Sequence, residues 1–214
     1  MKRILAIFVT LAALTACLDI DPFLYRCLTM GFVKDDGSFR ADDGRIYTFT
    51  DFMPEWKSGD RVVVIMDVTS AVNDSVYKAT NVSYVYPLFK KPVVVNAGSS
   101  EPDTLGVDDI RMIDGWYAGG YLNMSAQIKM VDGKGPEIVN LMVDNSTAPS
   151  VDTLRLVLRH RSDHELQPGE VRSDYSFYAS FPIREYIAAK DSVVLKISWK
   201  WEGQAGSTAA KVEN

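Results

Sequence analysis

Histidine and cysteine, on which many catalytic and metal sites depend, are scarce in this sequence. Its 214 residues include two of each. His160 and His164 are the only side chains of the type that acts as a general base near neutral pH, and no Gly-x-Ser-x-Gly nucleophile motif accompanies them. The sequence therefore predicts no enzyme and no cofactor.

Long runs of lysine or arginine are also missing. The formal net charge is −5 at pH 7, and hydrophobic residues make up 47% of the chain. Binding to a phosphate backbone needs clustered cations, so we exclude nucleic acid as a partner. The apolar fraction is typical of a globular chain rather than a disordered one.

The two histidines flank the short segment Arg161-Ser162-Asp163. Together with Asp163 and Glu165, His160 and His164 offer the ligand types that zinc binds. The end of one hairpin, however, supplies no third ligand anchored on another element, and no His-Glu-x-x-His motif occurs. We therefore predict no metal site, but a solvated turn with His160 packed at the end of a strand.

Paired carboxylates have a similar structural explanation. Asp108-Asp109 could serve glycoside hydrolysis, but a strand over 107–113 would point the two side chains to opposite faces. Asp-Asp-Gly at 35–37 and 42–44 invites a calcium interpretation, yet neither segment continues with the alternating oxygen ligands that calcium needs. The Asp-Gly pairs predict tight hairpin turns instead.

The beginning of the chain predicts export and a lipid anchor. Basic residues and an uncharged apolar run over 4–14 lead into Leu14-Thr15-Ala16-Cys17, the lipobox pattern of bacterial lipoproteins. We expect a lipoprotein signal peptide over 1–16, acylation of Cys17 and a tether over 17–22. The alternative is an ordinary signal peptide that is cut elsewhere.

Lipidation of one cysteine would leave the other, Cys27, without a disulfide partner. Its apolar neighbours predict that it behaves as a small buried hydrophobe. A reactive or intermolecular thiol is the alternative. Stability would then depend on core packing.

After the tether, segments rich in β-branched and aromatic residues alternate with turn residues, which predicts an all-β protein. Five short strands within residues 23–88 predict a small OB-like β-barrel domain. The proline-flanked segment 87–92 marks the boundary, because proline fixes φ and removes a backbone donor. Longer strands in 89–203 predict an antiparallel β-sandwich, with a short helical turn at 183–189. The small, polar residues 204–214 predict a disordered tail.

Three stretches carry a resemblance to a known family. The first comprises Asp42-Asp43-Gly44-Arg45 and Gly59-Asp60-Arg61-Val62-Val63-Val64, and the second is the segment from Gly115 to Met124. The third runs from Asp152 to His160, a leucine-rich strand that ends in histidine. In these stretches the chain resembles the NigD-like lipoprotein family of double-membrane bacteria. The resemblance implies a lipid anchor, an N-terminal OB-type domain and a C-terminal β-sandwich, and it implies no catalytic residues.

Aromatic side chains are the candidate binding residues. Trp116, Tyr117 and Tyr121 surround the glycine-rich bend at 118–120, and Trp201 alternates with another tryptophan on the last predicted strand. Exposed aromatic rings stack on sugars or proteins at low entropic cost. The alternative is that these rings fill the core of the sandwich.

Together these features predict a non-catalytic, lipid-anchored protein of the cell envelope. It would present a binding surface to a protein, a peptide or a bacteriocin-type partner. The alternative is a glycan-binding accessory lipoprotein of polysaccharide capture. We expect an outer-membrane location, and Asp19 and Asp21 after the predicted lipidation site leave open which face of the membrane carries the protein.

Overall fold

The fold is described from a computed structural model for residues 25–50, 56–84, 88–95, 103–145 and 152–213. The predicted signal peptide, Cys17 and the tether lie outside the described residues. None of the described helices combines the length and apolarity needed to span a membrane. The chain divides into two compact units, Met1–Val85 and Tyr86–Asn214.

The first unit is a closed five-stranded barrel with the order β1-β2-β3-β5-β4. The barrel closes because β4 pairs antiparallel with both β1 and β5, while β3 pairs in parallel with β5. Its strands are β1 (Tyr25–Val33), β2 (Phe39–Ala41), β3 (Ile46–Phe49), β4 (Arg61–Ala71) and β5 (Val76–Tyr84).

Both Asp-Asp-Gly segments form the predicted turns of this barrel. Gly37 and Gly44 have φ angles of 78° and 90°, which glycine adopts without steric cost. The Asp36 and Asp43 carboxylates each accept a hydrogen bond from a backbone N–H two residues later, at 3.0 Å. These turns therefore fix the register of β1, β2 and β3.

The barrel unit also contains a buried ion pair. Arg61, with a side chain that is 0% exposed, donates from Nη1 and Nη2 to the two carboxylate oxygens of Asp42 at 3.0 and 2.6 Å. Its guanidinium lies 4.5 Å from the centre of the Phe32 ring. Asp42 and Arg61 come from the Asp-Asp-Gly-Arg and Gly-Asp-Arg-Val segments, so these two short motifs meet in one contact.

The second unit is a β-sandwich with one short helix. It contains a 3-10 turn at Asp103–Leu105 and the helix α1 at Arg184–Ile187. Its strands are β6 (Leu88–Lys90), β7 (Val94–Val95), β8 (Ile110–Ala118), β9 (Tyr121–Met130), β10 (Glu137–Val143), β11 (Thr153–Ser162), β12 (Ser173–Pro182), β13 (Ser192–Trp201) and β14 (Gln204–Glu213).

The strands follow the path β6-β12-β9-β8-β13-β11-β10-β7, and β14 pairs with β13 along its whole length. A single residue pair, Ile110 with Lys200, joins β8 to β13. This narrow junction folds the path into two layers, β6-β12-β9-β8 and β14-β13-β11-β10-β7. Their inner faces share one apolar core that includes Leu122, Leu156 and Leu195.

The predicted all-β fold with a barrel and a sandwich is confirmed. Pairing in the sandwich is mixed, because β11 and β13 run in parallel. The chain crosses to the other layer through β12 between them, and such a crossover brings the next strand back in the same direction.

Two segments of the second unit differ from the sequence prediction. The prediction of a disordered tail at 204–214 is wrong for residues 204–213, since β14 obtains its backbone partners from β13. Leu88–Lys90, inside the proline-flanked boundary, forms β6 and pairs with β12 at the margin of its layer. Proline is tolerated beside a strand that has only one neighbour.

Candidate functional site

The sandwich has an open cleft where β8 diverges from β13. From the junction at Ile110, β8 continues with β9 as its partner, whereas β13 continues with β14. The two layers therefore separate, and a cavity of about 380 Å³ opens between them. Its lining includes Ile113, Trp116 and Tyr117 from β8 and Trp199 from β13.

Small residues on β14 form one side of this cleft. The register places Gly206, Thr208 and Ala210 beside Trp199, Ile197 and Leu195, so these small residues face inward. Thr208 is half-buried and Ala210 is exposed, although both sit at core-facing positions. The layer that contains β8 therefore does not fully cover the inner side of β14.

Gly206 makes room for the Trp199 ring. A Cβ atom at position 206 would overlap the Nε1 and Cε2 atoms of Trp199. Trp199 packs against the sandwich core while it also lines the cleft. Sequence reasoning noted only that Trp199 alternates with Trp201, because the role of Gly206 depends on a strand that was not predicted.

An irregularity in β8 shapes the opposite side. The register of β8 against β9 shifts between Met112 and Asp114, which leaves Ile113 as the extra residue of a bulge. Its side chain is 55% exposed. The Asp114 carboxylate accepts the Gly115 N–H at 2.8 Å, and this hydrogen bond stabilises the backbone next to the bulge.

The cleft contains two of the four aromatic residues predicted to bind a ligand. Trp116 and Tyr117 are both half-buried on β8, where Tyr117 pairs with Leu122 and packs against the core. Trp116 pairs with Asn123, so its side chain lies on the other face of the strand and the residue only borders the cleft. Gly119 and Gly120, with φ angles of 62° and 91°, form the turn into β9 that the glycine-rich bend predicted.

Tyr121 and Trp201 lie outside the lining of the cleft. Tyr121 begins β9 beside the turn, and Lys90 Nζ lies 6.0 Å from its ring centre. Trp201 ends β13, with the guanidinium of Arg111 at 4.5 Å and Lys129 Nζ at 5.2 Å from its ring. Cation–π contacts of this kind hold the Trp201 ring within the protein.

His160 lies in the core at the end of β11, as the sequence predicts. It is 0% exposed, its Nε2 lies 2.7 Å from Glu137 Oε2, and its Nδ1 lies 3.1 Å from the Asp109 carbonyl oxygen. Ser162 Oγ donates to the other Glu137 oxygen at 3.0 Å. Both ring nitrogens face oxygen, so a proton must lie between His160 and Glu137, on either partner.

The second histidine is directed to a different carboxylate. His164 Nε2 lies 2.6 Å from Glu170 Oε2. The backbone N–H of Gln167 and, to a lesser extent, His164 lower the pKa of the Glu170 carboxyl. Among the described residues no three metal-ligating side chains converge, and the two imidazoles bind separate partners.

Asp108 and Asp109 precede β8 and connect neighbouring segments. Asp108 accepts the Ser162 N–H at 2.8 Å and lies 3.6 Å from Arg172. Asp109 accepts the Glu202 N–H at 2.9 Å. Their carboxylates thus hold the approach to β8 against the ends of β11 and β13.

The other candidate, Cys27, lies half-buried on β1 and packs against the barrel core. Burial raises the pKa of its thiol, and this effect exceeds the opposing effect of a hydrogen bond with Tyr47. A raised thiol pKa favours the unreactive form, which agrees with the predicted hydrophobic role.

Comparison with known proteins places the second unit in a defined family. The family model for the NigD-like C-terminal beta sandwich domain matches residues 92–212. None of the curated proteins matches this sequence.

Solved structures share the fold across both units. A NigD-like immunity protein from Bacteroides caccae is 17% identical, with a TM-score of 0.57 over 89% of this chain and 97% of that one. A Bacteroides vulgatus protein of unknown function, DUF1344, is 16% identical, with a TM-score of 0.66 over 89% and 92%. A Bacteroides fragilis protein provisionally described as a lipoprotein is 11% identical, with a TM-score of 0.60 over 88% and 98%.

Proposed function

We propose that this chain, which belongs to the family with the NigD-like C-terminal beta sandwich domain, is a non-catalytic, lipid-anchored protein of the cell envelope. Its binding site for a protein or peptide partner is the cleft between β8 and β14. The observation that carries this proposal is the open cavity of about 380 Å³, whose lining includes the half-buried aromatic residues Tyr117 and Trp199.

The chemistry of the cleft suits a partner that inserts an apolar side chain. Ile113 projects from the bulge, and Tyr117 lines the same opening as Trp199. Aromatic side chains at such a site bury large areas with little loss of rotamer freedom. The small residues of β14 leave space for the inserted group.

The state of the histidines supports a non-catalytic role. A general base must reach the reacting group. His160 is fully buried and bound to Glu137, and His164 is bound to Glu170. Neither imidazole lines the cleft.

The anchor rests on the sequence around Cys17. Each buried CH₂ of an acyl chain contributes about 0.8 kcal/mol, so two or more chains hold a protein stably at a membrane. The Bacteroides fragilis protein of the same fold, provisionally described as a lipoprotein, agrees with such an anchor. Cys17→Ser should move the protein from the membrane fraction to the soluble fraction, and a variant that still pellets with membranes would contradict the anchor.

Binding at the cleft is tested by photocrosslinking in intact cells. A photoreactive residue at Ile113 should give a crosslinked product that Tyr117→Ala reduces. Val72, which is exposed to the same 55% on the barrel, is the matched control position and should give no such product. Equal crosslinking at both positions, or no effect of Tyr117→Ala, would exclude the cleft as the site.

A glycan-binding role is the second candidate. Trp116 and Tyr121 are half-buried near the β8–β9 turn and retain some exposed ring surface. The cations beside Trp201 argue against stacking of a sugar on that ring. Protease digestion of the tagged protein on intact cells, with a periplasmic protein as lysis control, separates the candidates, since protection would remove most of the case for external glycans.

A further inference from the structure

Positive charge is concentrated on one face of the sandwich, although the whole chain has a net charge of −5. This basic face is the outer side of the layer formed by β11, β13 and β14. Its cations are Arg155, Arg159, Lys196, Lys200 and Lys211.

The pairing of the strands brings these residues together. Arg155 and Arg159 share one side of β11 because they are four residues apart, and Lys196 and Lys200 share one side of β13 for the same reason. The parallel register sets Arg155 beside Lys196, and Lys211 on β14 lies beside Val194 of β13. The sequence contains no basic run, so this face arises only on folding.

Few carboxylates balance this charge. Among the outward positions of β11, β13 and β14, Glu213 is the one acidic residue, and it pairs with Lys211 at 2.9 Å. Within the described chain, no carboxylate forms an ion pair with Arg159, Lys196 or Lys200. Arg159 Nε is also a buried nitrogen that has no hydrogen-bond partner. Like charges side by side on a sheet are destabilising, which indicates a face made for an anionic partner.

The shape and chemistry of the face favour a planar anionic surface. The positions between the lysines hold small side chains, Ser198, Ser207 and Ala209. The longer lysine side chains therefore extend beyond their neighbours on this face. The outward positions of these three strands hold no aromatic ring on which a sugar or a base could stack. The cations of this face do not line the aromatic cleft, and Ser207 borders both surfaces.

We infer that the basic face binds the anionic headgroups of a membrane surface. Lysine and arginine near such a surface attract it electrostatically, and the attraction is screened by salt. The contact would orient the sandwich on the membrane independently of any acyl chain. It is therefore separable from the anchor at Cys17 and from the cleft.

The test uses the chain without residues 1–17, which lacks both the predicted leader and the lipidation site and retains every described residue. It is mixed with vesicles of phosphatidylcholine alone or of phosphatidylcholine with phosphatidylglycerol, and the bound fraction is measured by sedimentation. We expect binding to the anionic vesicles only, lost at high salt. Lys196→Gln with Lys200→Gln should weaken it about twenty-five-fold, since each lysine contributes about fivefold.

The matched control is Lys57→Gln with Lys78→Gln, two exposed lysines of the barrel that change the net charge equally. This variant should bind like the parent chain, and both variants should keep the parent's thermal midpoint. Absence of binding to anionic vesicles would overturn the proposal, as would equal losses in the two variants. Binding to the neutral vesicles that persists at high salt would also contradict it.

Discussion

The barrel unit and the sandwich each contain a buried pair of polar side chains, and the two pairs differ in their chemistry. In the barrel, Arg61 forms a two-pronged contact with Asp42 at 3.0 and 2.6 Å. In the sandwich, His160 and Glu137 are joined at 2.7 Å. The first pair joins an arginine, which is always charged, to a carboxylate, whereas the second is a hydrogen bond between an imidazole and a carboxyl group.

The two pairs should therefore respond differently to substitution. A carboxylate buried opposite arginine has no neutral arrangement with that partner, so loss of the guanidinium leaves an uncompensated charge. The His160–Glu137 pair can lose a charge and still keep its hydrogen bond, because an amide can replace the carboxyl group. The barrel pair should therefore tolerate less change.

The largest effect is expected for Arg61→Met. It removes the cation that pairs with the largely buried Asp42 carboxylate and should destabilise the barrel by about 3–5 kcal/mol. Hydrogen exchange of β4 peptides, with β9 peptides as an internal reference, measures the loss in the barrel alone.

Arg45→Met is the matched control, because Arg45 is half-exposed and its ion pair with Asp43 lies at the surface. It should change stability by less than about 1 kcal/mol. Adding Asp42→Leu to Arg61→Met should recover part of the loss, since an apolar pair can replace a buried ion pair. Equal losses of stability for Arg45→Met and Arg61→Met would show that the buried ion pair contributes no more than the exposed one.

A smaller effect is expected for His160→Leu. It removes the imidazole that faces Glu137 Oε2 and should destabilise the sandwich by about 2–4 kcal/mol, read from the β9 peptides. Hydrogen exchange of the β4 peptides in the barrel should not change, which would show that the loss of stability is confined to the sandwich.

Glu137→Gln is the informative partner variant. Its amide can donate to His160 Nε2 while its carbonyl accepts from Ser162, so the loss should be within about 1.5 kcal/mol. A loss as large as that of His160→Leu would show that the charge, and not the shared hydrogen bond, stabilises this pair.

The smallest effect appears only in alkali. Burial raises the pKa of Tyr47 from 10.0 to about 12. The neutral phenol therefore stabilises the barrel fully below pH 10, and this contribution is lost as the pH rises through about 12, because the unfolded tyrosine ionises first. Denaturant midpoints should fall less over this range in Tyr47→Phe than in the parent.

The comparison is made in a Cys27→Ala background, because burial also raises the pKa of the neighbouring Cys27 thiol. Tyr186→Phe in the sandwich, where burial likewise raises the tyrosine pKa, should leave the alkaline loss of the barrel unchanged. If Tyr47→Phe follows the parent curve, the barrel does not depend on this phenol.

Local patterns in the sequence predicted most of the strands and turns but few of the contacts between them. Asp36-Gly37 and Asp43-Gly44 predict turns because turn chemistry depends on adjacent residues. The strand Gln204–Glu213 was missed because alanine, glycine and serine have little strand preference, and its partner β13 provides the hydrogen bonds. The strand β14 therefore forms because it pairs with β13, and not because of local strand preference.

The candidate sites show the same limit. Trp116 and Tyr117 were identified from their aromatic character, but the bulge at Ile113 and the space beside Gly206 follow from register and strand divergence. The even spacing of Arg155 with Arg159 was visible in the sequence. That these arginines join lysines of β13 depends on a parallel pairing that local spacing does not specify.

The position of β14 in the chain affects the order in which the two units can fold during synthesis. Every barrel strand lies within residues 25–84, so the barrel can close while later residues are still being made. The sandwich needs Gln204–Glu213 to pair with β13, and until then one margin of β13 and the ring of Trp199 lack their neighbour. During synthesis, the sandwich is therefore the unit that must be kept from aggregating.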